Sequence, residues 1–293
     1  MTDVIQHRER RHLVRHVLSK SNIDEAEPLI AKQVKKALTW VNNVAGTGNS
    51  LEIMLWARRM MLDTSGSSAL LGRAASADHT TGALFLGREF GALNNSEPHA
   101  FLDDMDNFFN ITALRWLAPW TLSVLHCLPV SAIKHFLGAQ KRGYEYGFRA
   151  FDEYIEQHGR FSGRIDLLTK MVGTKESQPL SDAEISNELG SLLVGATDTT
   201  VVVLTWLLWE LAQRSDWQQR IREELRTNKI DFSTGIAPFR QISELPVLNG
   251  FVLESMRLHP AQSIGLPRVA WFEGEVIGGV VIPAGVCGFE ADN

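Results

Sequence analysis

The chain is poor in sulfur. Two cysteines, Cys127 and Cys287, in 293 residues cannot build a disulfide scaffold or a four-thiolate zinc site. A basic excess is missing as well. There are 29 Lys and Arg against 34 Asp and Glu, a net charge of −5, whereas a protein that works through phosphate contacts is usually more basic. The first fifteen residues are rich in charge and hold no apolar stretch of the kind a secretory signal needs, so a reducing compartment is expected. Familiar catalytic signatures are absent too. No GxSxG, P-loop or GxGxxG occurs, and Gly46 and Gly48 lack the third glycine. Nine histidines are scattered without an HExxH. The lone SxxK at Ser131–Lys134 has no KTG after it, which argues against a penicillin-type Ser–Lys enzyme.

What is present is ordinary globular material. With 44% hydrophobic and 22% charged residues, the chain is neither disordered nor low in complexity. Its length suits two domains or one larger helical domain. One apolar run stands out: Leu189–Trp209 spans 21 residues with a single charge, Asp198, close to the length of a membrane span. An Asp at mid-span costs about 2.5–3.5 kcal/mol on insertion scales. Four Thr, one Ser and two Gly dilute the run further, so it reads as the buried centre of a large helical domain. The basic run of His7, Arg8, Arg10, Arg11, His12, Arg15 and His16 reads as a solvated helix face. Glu9 and the acidic stretch at Asp24–Glu27 count against a nucleic-acid patch or a transit peptide.

Periodicity predicts a mainly α fold. Helices are expected over Val4–Leu18, Glu27–Val44, Leu51–Leu62 and Ala132–His158, with Asp63–Thr81 a loop or short helix. Pro98, Pro119 and Pro129 break up residues 82–135, and Gly159–Pro179 reads as a mobile, polar connection. Ser181 and Glu184 form a capping box, with Leu180 and Ile185 as its hydrophobic staple, opening a long central helix over about 182–213. A second box, Ser215–Gln218, opens a helix to about Thr227. Another helix runs over about 245–259 and stops at Pro260. Gly278-Gly279 between Val and Ile residues reads as a β-hairpin. Residues 1–293 are expected to form one partial domain: a helical core with a small β-hairpin region near the C-terminus.

Polar residues inside the apolar helix carry the chemistry. In Gly195-Ala196-Thr197-Asp198-Thr199-Thr200, the Thr hydroxyls can bond back to the i−4 carbonyl and bend the helix. A buried carboxylate there needs a partner or a proton. The small residues let something bulky approach the backbone. A plain helix crossing is one reading; a proton-delivery site beside a flat ligand is the other. Glu254 and Arg257, at i and i+3, share a face and can pair.

Taken together these segments resemble the cytochrome P-450 haem-thiolate monooxygenases, fungal members in particular. Asp198-Thr199-Thr200 behind Gly195 and Ala196 resembles the family's (A/G)GxDTT oxygen-activation motif, with Ala196 where Gly is usual. Glu254 and Arg257 resemble its ExxR pair. His7 and Arg11 are similar to the helix whose His and Arg hold a haem propionate, and Arg268 to the second propionate-binding Arg. The resemblance implies haem as cofactor, a lipophilic small-molecule substrate of fungal secondary metabolism, O2-dependent oxidation, and electrons from an NADPH-dependent reductase, with no nucleic acid involved. Asp198 and Thr199 would deliver protons, His7, Arg11 and Arg268 would hold the haem, and Glu254 and Arg257 would be structural.

The departures set a second expectation. The family's haem-ligand loop, FxxGxRxCxG, has no match here. Around Cys287 its Phe, Gly and Arg positions hold Val280, Pro283 and Gly285, and Cys127 fits no better, so the metal has no assigned ligand. A thiolate supplies the push for O–O cleavage, and these residues are therefore expected to be inactive by themselves. The alternative is a non-catalytic helical pseudoenzyme or interaction module. The family is anchored in the endoplasmic reticulum membrane. No anchor is read in this chain, which is therefore expected in the cytoplasm if soluble.

Overall fold

A computed structural model describes residues 27–66, 92–93, 100–161, 167–172, 180–262, 266–270 and 274–290, with Arg8, Arg11, Arg15, Lys20 and Asp24. Eleven described helices follow one another. They are α1 (Glu27–Gly46), α2 (Ile53–Gly66), α3 (Ala100–Leu117), α4 (Pro119–Cys127), α5 (Ser131–Leu137) and α6 (Ala139–His158). Then come α7 (Leu167–Val172), α8 (Asp182–Gln213), α9 (Ser215–Thr227), α10 (Phe239–Ile242) and α11 (Pro246–Leu258). Four short strands close the sequence: β1 (Leu266–Val269), β2 (Glu275–Ile277), β3 (Val280–Ile282) and β4 (Cys287–Glu290). The mainly α expectation holds, with β structure confined to the C-terminal region.

The 32-residue helix α8 is the axis. Ser181 Oγ accepts from Glu184 N while a Glu184 carboxylate oxygen accepts from Ser181 N at 3.0 Å, the reciprocal box read from the sequence. Leu180 and Ile185 are both buried in one cluster, as a staple requires. α2 packs along one side of α8 and α6 along another, α3 lies against α6, and α11 meets α8 near its C-terminal end. One core cluster joins Phe101, Leu102 and Met105 of α3, Phe151 and Tyr154 of α6, and Leu189 and Leu193 of α8. A second joins Ala37, Trp56, Ala57 and Met60 of α1 and α2 to Val201. By length and composition α8 could cross a membrane; in this fold its Ile185, Leu189, Leu193, Thr197 and Val201, four residues apart, form the buried stripe.

Several boundaries differ from expectation. Ala132–His158 is two helices, parted at Gly138. Arg142 wraps back there to donate to the carbonyl of His135 at 2.8 Å, and a Cβ on Gly138 would sit 2.8 Å from that guanidinium. Residues 82–135 hold the 18-residue α3. Within Gly159–Pro179, read as mobile and polar, α7 buries Leu168, Met171 and Val172. The second capping box does not form: α9 begins at Ser215 itself, without a side-chain cap. Gln218, its expected fourth member, instead donates from Nε2 to the carbonyl of Leu211 at 2.8 Å, so it caps the end of α8. Of the helix predicted over Val4–Leu18, Arg8, Arg11 and Arg15 are described; each is helical and exposed. Most of Asp63–Thr81 lies outside the described residues.

The strands form two antiparallel pairs, β1 with β4 and β2 with β3. Gly278 and Gly279, at φ 58° and 82°, give the β2–β3 hairpin two consecutive left-handed residues. That is the two-residue turn whose twist matches the flanking strands. In the other pair Arg268 stands opposite Gly288, and Val269 opposite Cys287.

Candidate functional site

The middle of α8 is where polar residues interrupt the apolar stripe. Thr197, fully buried, donates to the carbonyl of Leu193 at 2.8 Å, and Thr199 donates to that of Gly195 at 2.5 Å. These are the i−4 back-bonds expected of Thr in an apolar helix. Across the interface Ser65 of α2 brings its hydroxyl to 3.4 Å from that of Thr197.

Asp198 faces α2. Arg58 donates from Nε to its Oδ1 at 3.2 Å and reaches the other oxygen at 3.4 Å. The same guanidinium holds Asp106 of α3, with one bond at 2.9 Å. The Arg58 and Asp198 side chains are 13% and 17% exposed, and that of Asp106 is 52% exposed. Asp106, followed by Asp198, holds the guanidinium well above its ordinary pKa against the opposing pull of burial. The carboxylate that the sequence put in an apolar helix thus has its partner, and one cation pins three helices together.

Thr199 lies on the wall of a cavity of about 310 Å3 between α3, α6 and α8. Phe101 and Phe108 of α3, Tyr144 of α6 and Val194 of α8 give it apolar walls. Asp104 also lines it, but Arg142 Nε donates to both its oxygens, at 2.9 and 3.0 Å. That bidentate pairing neutralises the charge at the wall and raises the guanidinium above its usual range. The volume is at the lower end of the roughly 300–1,000 Å3 of small-molecule sites, and the mostly apolar wall is typical of them.

Glu254 and Arg257 pair with each other on α11. Arg257 donates from Nε to Oε2 at 2.8 Å and from a terminal nitrogen to Oε1 at 2.6 Å. Both are solvent-exposed, at 55% and 67%, and Arg257 holds the Glu254 carboxyl below the usual carboxylate range. Close by, Glu224 of α9 accepts from the backbone N–H of Val247 and Leu248 at 2.8 and 2.9 Å, capping α11 from a neighbouring helix. His259 Nε2 lies 2.8 Å from buried Glu210 of α8 and stacks on Trp206 with centroids 4.1 Å apart.

The remaining expected residues stand differently. Arg11 is helical and exposed. His7 lies outside the described residues, as does the side chain of Arg268, whose backbone is in β1. Cys127 is exposed at the end of α4, which packs on α3 and α5. Cys287 is known by its backbone in β4. Among the described residues no three His, Cys, Asp or Glu side chains cluster so as to hold a metal. Sequence reasoning missed Arg58 and Asp106. One signal was available, because Arg58-Arg59 interrupts the apolar run from Ile53 to Leu62.

The family model for cytochrome P450 matches residues 5–287. The chain is 24% identical to the cytochrome P450 monooxygenase tazI of Aspergillus terreus, over 97% of this chain and 55% of that protein. It is 22% identical to the versicolorin B desaturase stcL of Emericella nidulans, over 97% of this chain and 54% of that protein. The chain spans about half the length of the curated relatives it matches. A crystal structure of a cytochrome P450, CYP102L1, superposes with a TM-score of 0.70 at 16% identity, covering 99% of this chain and 58% of that one.

Proposed function

Since the chain belongs to the cytochrome P450 family, we propose that it carries the substrate-facing wall of a fungal-type monooxygenase that oxidises a lipophilic small molecule with O2. The family implies haem, a reductase as redox partner and a small-molecule substrate. The observation that carries the reading is the placement of Thr199. Thr199 lines a mostly apolar cavity, and the adjacent Asp198 is held by Arg58 at 3.2 Å. A hydroxyl and a carboxylate adjacent on one helix beside an apolar cavity suit holding and passing a proton. Arg58 keeps the carboxylate oriented.

A haem bound here would have Thr199 and Asp198 as its proton-handling residues, while none of the described residues is assigned as its metal ligand. A thiolate would supply the push for O–O cleavage, yet Cys127 is exposed on α4. The residues before Cys287 do not spell the ligand loop. These 293 residues are therefore expected not to turn substrate over by themselves. Arg11, His7 and Arg268 remain the proposed propionate contacts, and Glu254 with Arg257 a structural pair.

Haem titration followed by reduction under CO tests this. The 293-residue chain is expected to show no Soret band at the thiolate position. A transcript reading on into an FxxGxRxCxG loop is expected to yield a product that does show it. A longer product that takes up haem without that band would remove the monooxygenase reading. The second reading, a non-catalytic helical interaction module, rests on the large side chains left in solvent on α8 and α11, Trp209, Leu253 and Met256 among them. Exposed apolar groups of this kind mark interfaces.

A further inference from the structure

Helices α6 and α8 touch at glycines and then part. A Cβ on Gly147 would lie 2.2 Å from the carbonyl of Ser186 and 3.0 Å from the nitrogen of Gly190, so the crossing itself requires glycine there. One turn back along α6 is Gly143, whose carbonyl would still lie 3.6 Å from a Cβ on Gly190, and further along α8 is Gly195; neither needs to be glycine for its own Cβ to clear the other helix. A Cβ at either position would meet nothing within 4 Å. Both residues line the cavity that reaches Thr199. A glycine inside a helix lowers helix stability, and no neighbour compensates at these two places. Gly195 is exposed and Gly143 half-buried, so what they leave clear is open space along the cavity wall.

We infer, building on the monooxygenase reading above, that Gly143 and Gly195 determine specificity by keeping open a slot for an uncharged, flat, fused-ring aromatic ligand. Three observations set that class. Glycine backbone from two helices makes a wall without projecting side chains, against which a ring can lie face-on. The rings of Phe101, Phe108 and Tyr144 line the same cavity, and aromatic pairs gain from offset or edge contact beyond their buried area. Asp104 is the charged residue among the described lining residues, and Arg142 already takes both its oxygens. A charged ligand would therefore find no free counter-ion among the described lining residues, while a neutral one needs none.

The test uses the chain without haem and pyrene as the probe, followed by the vibronic ratio of its emission. Wild type is expected to take up pyrene saturably and to lose it to anthracene more readily than to adamantane. Gly143→Leu and Gly195→Leu should each weaken pyrene binding by about tenfold or more, since one filled side chain removes much of so small a volume. Gly143→Ala should fall between, with a higher thermal midpoint from the gain in helix propensity. Far-UV circular dichroism separates a filled slot from a lost fold. Gly147→Ala serves as the contrast, expected to lose midpoint because its Cβ meets backbone. If a leucine variant does not fold, the graded loss from Gly to Ala to Val at position 143 carries the same test. Absence of saturable uptake by wild type, unchanged pyrene affinity in the folded Gly143 and Gly195 variants, or equal displacement by adamantane would each overturn the inference. Because no haem enters the measurement, the slot can fail while the thiolate band of a longer product stands, and the reverse.

Discussion

In its first half α8 buries Ile185, Leu189 and Leu193 against α3, α6 and α7. Past Val201 the buried residue is Glu210, a charge, while Trp206 and Trp209 of the same helix stand 39% and 50% exposed. The second half is the more apolar by sequence, yet it is the less covered, because the neighbours change. Where apolar elements surround it, the helix is held chiefly by packing. Past Val201, Leu204 and Leu208 still pack on the second cluster, and directional contacts add to that hold. Glu210 pairs with Arg214 on the next turn and with His259 of the α11 terminus, and Trp206 stacks on that same His259. The proposed chemistry sits at the boundary of the two regimes. Thr197 is still in the packed part, Asp198 needs a cation, and Thr199 already faces a cavity. A helix that changes from packed to polar support is where a carboxylate can be held by a cation, as Arg58 holds Asp198.

The comparison breaks most easily in the packed half. Leu193→Ala removes a fully buried side chain and is expected to cost about 2–5 kcal/mol. Ser181→Ala leaves the packing intact and takes away the cap, so about 1 kcal/mol is expected. Urea unfolding followed by circular dichroism measures both. A Leu193→Ala loss no larger than that of Ser181→Ala would mean that the first half is not held by packing.

How far the sequence revealed this depends on the range of each cause. The start of α8 was legible because Ser181, Glu184, Leu180 and Ile185 lie within six residues and decide the cap among themselves. The box at Ser215 had the same letters and failed, because Gln218 had a better use at the carbonyl of Leu211. A local pattern cannot show a competing acceptor in the preceding helix. The Gly278-Gly279 turn was legible for the reason the first cap was: two glycines settle their own φ. Asp198 and Thr199 stood out as polar letters in an apolar run, yet Arg58 did not, since it is 140 residues away in the chain. Gly147 was equally silent. It differs from Gly143 by a backbone 2.2 Å from its absent Cβ, a distance that exists after the helices have crossed and not before. The split at Gly138 belongs to the same class, set by how Arg142 folds back.

In the polar half the expected effects are smaller. Trp209→Ala truncates a large side chain that is half in water, and its loss should stay within about 0.5 kcal/mol, the range of surface substitutions. A loss approaching that of Leu193→Ala, again in urea, would show that Trp209 is covered in solution. Light scattering before and after the substitution would then show whether a second molecule does the covering.

The smallest effect belongs to Glu254, and pH distinguishes it. Arg257 holds its carboxyl below the ordinary range in the folded chain, so in acid the unfolded chain binds a proton there before the folded one does. Stability from the pair is therefore complete above the ordinary glutamate pKa of about 4.3 and is lost as pH falls through the lower, folded value. Both groups are open to water, so the contribution is small and salt screens it. The urea midpoint of Glu254→Gln is expected slightly below wild type at neutral pH and low salt. The two should converge in strong acid, and at neutral pH on adding about 1 M salt. A gap that persists in acid would mean that Glu254 stabilises α11 through something other than its charge, and the pair would lose its place among the directional contacts that hold this half of the molecule.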